Sequence, residues 1–446
     1  MSLPNSNPET GYQNIWYPCS QMKDYETFTP VDIQSARGSY IHLTNGKKLI
    51  DAISSWWCKS LGHNHPKIRA AISEQIDSFE HVLMPNTQNK LLNTLSDKLG
   101  KLVPNLDKVF YAGDGSCAVE VALKMCVHAR LIKGESNRKK FLALKNGYHG
   151  ETVGALSVSD LGLYKKPYES MLFDCEFIDH IPYVSGQDDP LWHDCSDRWS
   201  EVETQLERYK STANAFILEP LMQGAGGMLI YSKDFLQRIA HWCHNNNVYL
   251  IYDEIMTGIG RSGNMLACQY LDFPHADFIC LSKGLTSGWL PFSAVLTHQE
   301  IYNLFYDDYE KGNSFLHSHT YCGNALGTAV ALSVLEIFEN EKITSYVQQV
   351  LNPAMVNNLK EIESETGLLK NIRNLGGLIA ADLVVPDSSN RRYGFELYQK
   401  AINHGALLRP LGNSVYWLPP LNTSVETIDK LSYITLQSLK ELQLTI

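Results

Sequence analysis

Over the middle of the chain, short β-branched and aromatic runs alternate with segments of helical periodicity. Residues 109–111, Val-Phe-Tyr, lead through Gly-Asp-Gly-Ser into an apolar-periodic stretch at 118–132, which predicts a strand followed by a helix. Residues 140–144, 215–218, 248–252, 278–281 and 292–296 also read as strands. Residues 233–245 read as a helix, with Ser232 as its N-cap. Such alternation predicts an α/β fold with a mostly parallel sheet covered on both faces, whose ligands sit beyond the carboxyl ends of the strands. From residue 325 onward the pattern shifts to long helices, a few short strands and a proline-rich connection near 418–420. The expected division is a large domain over 61–325 and a smaller α+β domain over 326–446, to which residues 1–60 contribute. No internal repeat is visible, which excludes solenoids and propellers.

Composition narrows the classes. Hydrophobic residues make up 44% of the 446 positions and charged residues 19%, enough apolar content for a folded core. The 38 Lys and Arg against 48 Asp and Glu leave a net charge of −10, without the basic cluster that nucleic acid or an anionic membrane requires. The nearest approach to a membrane span, 321–338, is broken by Asn324, Thr328, Ser333 and Glu336. Residues 1–14 lack the cationic-then-apolar order of a signal peptide. The ten cysteines form no C-x-x-C pair, and the His63/His65 and His317/His319 pairs have no third ligand, so no metal is expected. The expectation is a cytoplasmic enzyme without nucleic-acid or membrane partners.

Four features carry candidate chemistry. Gly113-Asp114-Gly115-Ser116 lies between a strand and a helix, where small residues and free helical N–H groups suit an oxyanion; an ordinary turn is the plain alternative. Gly258 to Gly263 spells G-x-G-x-x-G, but five residues separate it from the preceding strand and no strand ending in an acid follows at the right distance, which argues against a dinucleotide. Asp253 stands at the tip of a buried strand and asks for a cation or donor. Lys283 follows the next strand on the same sheet edge, either as its structural ion-pair partner or as an amine able to condense with an aldehyde. An anion site, a carboxylate and a lysine at three strand ends are together what pyridoxal phosphate requires, and Tyr148 supplies an aromatic to set against its ring. Trp56-Trp57 reads as a core pair or as a pocket lining.

Residues 146–151 (NGYHGE), 219–227 (EPLMQGAGG), 253–263 (DEIMTGIGRSG) and 281–288 (LSKGLTSG) resemble, in order and spacing, the class III pyridoxal-phosphate aminotransferases. That resemblance implies a fold-type-I transferase, homodimeric, with active sites at the subunit interface. It implies that Lys283 condenses with the cofactor, that Asp253 pairs with the pyridinium nitrogen, and that Gly115 and Ser116 hold the phosphate together with His319 and Thr320 from the partner subunit. Tyr148 and Trp56 would line the substrate pocket, Ser318 would meet substrate through its backbone, and Arg409 would bind a substrate carboxylate. Residues 53–57 (ISSWW), 317–324 (HSHTYCGN) and 408–412 (LRPLG) carry a narrower resemblance, to the family's biotin-pathway branch. This one implies amination of 8-amino-7-oxononanoate with S-adenosylmethionine as donor, lysine being the alternative donor and another class III ω-aminotransferase the alternative activity. Two departures stand out: Cys19 occupies the place of a family aromatic, and Ser318-His319-Thr320 replaces a usual Gly-Pro-Thr.

Overall fold

The computed structural model describes residues 14–273, 276–387 and 391–445. Residues 1–13, which carry most of the leader reading, lie outside the described residues. A seven-stranded sheet organises the molecule: β1 (Lys108–Ala112), β2 (Lys140–Leu144), β3 (Cys175–Ile178), β4 (Ala213–Leu218), β5 (Tyr249–Asp253), β6 (Phe278–Leu281) and β7 (Ser293–Thr297). Their spatial order is β1-β7-β6-β5-β4-β2-β3. All neighbours are parallel except that β7 runs antiparallel to both β6 and β1.

Every residue of β4, β5, β6 and β7 is buried, because helices cover both faces and leave no solvated side for polar residues to alternate onto. Helix α1 (Gly115–Ile132) follows β1 and lies against the sheet, burying Ala118, Val119, Ala122 and Cys126. Helix α2 (Lys233–Asn245) begins where expected, with the Ser232 hydroxyl accepting from the Phe235 N–H at 3.1 Å.

The sequence pattern missed β3. It is an edge strand, half-buried, and its Glu176 pairs with Lys140, so its polar residues break the apolar run. A short hairpin, Met222–Gln223 with Leu229–Ile230, was likewise too brief to register.

Segments from the first 60 residues and from beyond residue 390 meet at a cavity. Strands Ile33–Arg37, Tyr40–Leu43 and Lys48–Asp51 form an antiparallel set, and Ala406–Leu407 joins parallel to Lys48–Asp51. Leu369–Leu375, Leu378–Leu383 and Ser414–Trp417 form a second antiparallel sheet. The glycine-rich segment after β5 is bolted to it by Arg261, buried, which donates to the Gly377 and Pro419 carbonyls at 2.8 Å each. The G-x-G-x-x-G string is thus a packing device: a side chain at Gly260 would strike Phe338, and Gly258 packs on the backbone of Glu254. Among the described residues no helix is long and apolar enough to cross a membrane.

Candidate active site

The carboxyl ends of β1, β2, β4, β5 and β6 open into one cavity of about 1440 Å³. At the end of β1, Asp114 adopts an extended conformation and caps α1 by accepting from the Cys117 N–H at 3.0 Å. The first intrahelical bond is made by Ala118, so the N–H groups of Gly115 and Ser116 precede the helical ladder at the positive end of an 18-residue helix. Gly150 (φ +130°) lies against Ser116, and a side chain there would collide with the Ser116 hydroxyl. These residues fit a phosphate group: free donors, one hydroxyl, and a neighbour that must be glycine.

Asp253 ends β5, buried. One carboxylate oxygen lies 2.7 Å from His149 Nδ1 and the other accepts from the Ile255 N–H at 3.1 Å. The structural ion pair with Lys283 is not formed among the described residues. Instead the Lys283 ammonium faces the cavity, 4.7 Å from the centroid of the Trp57 ring. Burial pulls its pKa below the ordinary lysine value, against the upward pull of Asp253 and Glu219. Lys283 itself sits at φ +39° in a short 3-10 turn after β6, a strained conformation for a residue with a Cβ.

Glu219 follows β4, buried, with both carboxylate oxygens occupied: one accepts from the Tyr148 N–H at 3.0 Å, the other from the Gly224 N–H at 2.9 Å. Burial raises its pKa to about 7, helped by the Asp253 charge and opposed by His149 and the two N–H donors. The Tyr148 phenol donates to Glu151 at 3.1 Å, and burial together with that carboxylate pushes its pKa up.

Towards the mouth, the Arg409 guanidinium lies 5.1 Å from the centroid of Trp56 and donates to the Cys19 carbonyl at 3.2 Å. The Cys19 thiol in turn lies 3.3 Å from the Tyr164 hydroxyl.

Of the residues expected from sequence, the structure gathers Trp56, Gly115, Ser116, Tyr148, Asp253, Lys283 and Arg409 around this cavity. Ser318, His319 and Thr320 do not line it. They lie on a segment whose Tyr309, Leu316 and Tyr321 are exposed, with the His319 ring edge-on to His317 at 4.8 Å. Trp57, read from sequence as a core or a pocket residue, is both buried and part of the cavity lining. Sequence reasoning missed His149 and Glu219. Glu219 carried the signal that revealed Asp253, a carboxylate capping a wholly buried strand. His149, next to Tyr148 in a loop, carried no periodic signal.

Residues 21–439 match the family described as aminotransferase class III. The chain is 40% identical over 420 residues to the adenosylmethionine-8-amino-7-oxononanoate aminotransferase of Helicobacter pylori, covering 93% of each chain. It is 33% identical over 451 residues to the enzyme of that name from Methanocaldococcus jannaschii, covering 96% of this chain and 97% of the relative. The M. jannaschii crystal structure superposes with a TM-score of 0.88 at 32% identity over 96% of this chain and 97% of that one. An amine transaminase from an uncultivated Pseudomonas species, solved with pyridoxal phosphate bound, superposes with a TM-score of 0.86 at 27% identity, covering 97% and 99%.

Proposed function

We propose, since this chain belongs to the class III aminotransferase family, that it uses pyridoxal 5'-phosphate to transfer an amino group from S-adenosylmethionine to 8-amino-7-oxononanoate, giving 7,8-diaminononanoate for biotin synthesis. The observation that carries the chemistry is the Lys283 ammonium, without an ion-pair partner among the described residues, facing one cavity with the Asp253 carboxylate and the Ser116 turn. The relatives named above support the choice of acceptor and donor.

The residues fit the cofactor. Gly115, Ser116 and the α1 N-terminus would hold its phosphate, Asp253 its ring nitrogen, Lys283 its aldehyde, and Tyr148 would lie beside its ring. When bound, it supplies an electron sink that stabilises negative charge on the carbon bearing the amine. The chain does the rest. Lys283 Nζ takes the proton from the donor carbon and later delivers one to the acceptor carbon. Burial, which lowers its pKa, favours the free amine needed for the first of these steps. His149 keeps the Asp253 carboxylate aimed, and Glu219 fixes the backbone that carries Tyr148. Arg409, 5.1 Å from the centroid of the Trp56 ring, offers a fork to the acceptor's carboxylate. Tyr148 and Trp56 shape the channel between that carboxylate and the reacting carbon.

The working form in this reading is a homodimer. His319 and Thr320 then complete the phosphate site, and Ser318 the substrate site, of a second copy. Their place outside their own chain's cavity, on a segment with exposed aromatic and aliphatic residues, supports it. Ten unpaired cysteines suit the reducing cytoplasm.

The test supplies 8-amino-7-oxononanoate with S-adenosylmethionine or with lysine and assays diaminononanoate. Product with S-adenosylmethionine supports the reading. Product with lysine alone replaces the donor, and no product with either removes the acceptor.

A further inference from the structure

Four consecutive residues next to the cavity hold positive φ: Ser54 (+50°), Ser55 (+47°), Trp56 (+81°) and Trp57 (+71°). None is glycine, and a left-handed turn of residues bearing a Cβ does not persist without outside restraint. The turn puts successive tryptophans to two uses. Trp56 meets the Arg409 guanidinium at 5.1 Å and Trp57 meets the Lys283 ammonium at 4.7 Å.

The restraint is visible on both sides. On one side the Ser54 hydroxyl donates to the Leu418 carbonyl at 2.7 Å and accepts from Arg261 at 3.2 Å, while the Trp57 indole donates to the Tyr416 hydroxyl at 3.0 Å. On the other side stands Asp51, the last residue of its strand and fully buried. Its Oδ1 accepts from the Ser55 N–H at 2.9 Å and its Oδ2 from the Ser55 hydroxyl at 2.7 Å. His63 Nε2 lies 2.8 Å from the same Oδ2. Burial by itself would raise the Asp51 pKa; the hydrogen bonds from His63 and Ser55 outweigh it and hold the carboxyl below its usual value. The Ser-His-Asp grouping is not a nucleophilic triad. His63 presents the same nitrogen to Ser55, at 3.4 Å, and to Asp51, so no proton relay runs through its ring.

We propose that Asp51 is a positioning residue for substrate recognition: its carboxylate, braced by His63, clamps Ser55 in the left-handed turn that sets Trp56 under Arg409 and Trp57 beside Lys283. The proposal rests on the reading above only in taking Trp56 and Arg409 as the acceptor's carboxylate site. Releasing the clamp lets the turn relax towards right-handed geometry, and Trp56 then leaves the guanidinium.

The experiment compares the holoenzyme with Asp51→Asn, His63→Gln and the double variant Asp51→Asn/Ser55→Gly. Asparagine keeps the volume but turns one oxygen into a donor that faces the Ser55 hydroxyl. Glycine at 55 adopts positive φ freely, so it removes the need for the clamp. Expected is a rise of about tenfold in KM for 8-amino-7-oxononanoate in Asp51→Asn with kcat within about twofold, and recovery to within about threefold of wild type in the double variant. An unchanged KM with a lowered melting temperature, or a KM defect that glycine does not rescue, overturns the proposal. Should Asp51→Asn not fold, His63→Gln decides: a KM raised about threefold or more supports the clamp, and an unchanged KM overturns it. If wild-type protein does not turn over this acceptor, the substrate reading has failed on its own. The clamp is then read from the near-ultraviolet dichroism of the same proteins, where an aromatic band lost in Asp51→Asn and regained in the double variant supports it and an unchanged band overturns it.

Discussion

Arg409 combines a charge with a flat face. A lysine in its place keeps the charge but loses the planar fork that lies 5.1 Å from the Trp56 ring centroid. Arg409→Lys is therefore expected to raise KM for 8-amino-7-oxononanoate about tenfold. Arg409→Ala, which on the proposed reading strands a substrate carboxylate at about 2–5 kcal/mol, is expected to raise it about 100-fold or more, with kcat changing less. Steady-state kinetics on the two variants checks both. Glu219 makes a prediction about pH. Its folded pKa, about 7, stands above the ordinary 4.5, so between those values the folded state binds more protons than the unfolded one. The stabilisation this brings is fully present below about pH 4.5 and is lost as pH rises through 7. Glu219→Gln removes that dependence and leaves either Tyr148 or Gly224 without an acceptor, at about 1–3 kcal/mol. The variant should be less stable than wild type at pH 5, and the gap should narrow by pH 8. Melting temperatures of the cofactor-free proteins across that range test it; a constant gap would remove Glu219 as the titrating group.

At the scale of elements, the strand-to-helix turn after β1 works only while Gly150 leaves room for the Ser116 hydroxyl. Gly150→Ala combines strain at φ +130° with a collision. It should weaken pyridoxal phosphate binding to the cofactor-free protein by about tenfold or more. Gly134→Ala, strained at φ +71° but with open space beside it, should leave that affinity unchanged. The central strands were legible because burial on both faces makes β4 to β7 continuous apolar runs, and their tips pointed to Asp253 and Lys283. The order of strands was not, because parallel pairing leaves no local mark on sequence. Nor was the reversal of β7, whose composition resembles that of the parallel strands. The turn at Ser54 to Trp57 was invisible for a different reason: its handedness is imposed by Asp51, Arg261, Tyr416 and Leu418, three of them more than 200 positions away. Glycine or asparagine would have advertised a left-handed turn, and serine and tryptophan conceal it.

At the scale of the molecule, the segment carrying Ser318, His319 and Thr320 presents Tyr309, Leu316 and Tyr321 to the outside. In the proposed homodimer these residues face the second copy. The protein should sediment as a particle of roughly twice the 50.3 kDa chain. Leu316→Asp should shift it towards the monomer and, by withdrawing His319 and Thr320 from the second copy, reduce cofactor retention. A variant that stays dimeric and fully loaded would contradict that assignment. The resemblance alone assigns these three residues to a second copy; nothing in the residues themselves points there.

The pairing of Lys48–Asp51 with Ala406–Leu407 also sets a schedule for synthesis. The first strand of that pair leaves the ribosome roughly 350 residues ahead of its partner, a delay of tens of seconds at about 5–20 residues per second. Before that interval ends the central sheet gains its last strand, while Asp51, Ser54 and Trp57 still await contacts that have not yet been translated. A chain halted before residue 406 would therefore complete its sheet and carry Lys283, yet lack both Arg409 and the finished turn beneath it. On the proposed reading of Arg409, translation leaves the grip on substrate among the last properties the molecule acquires.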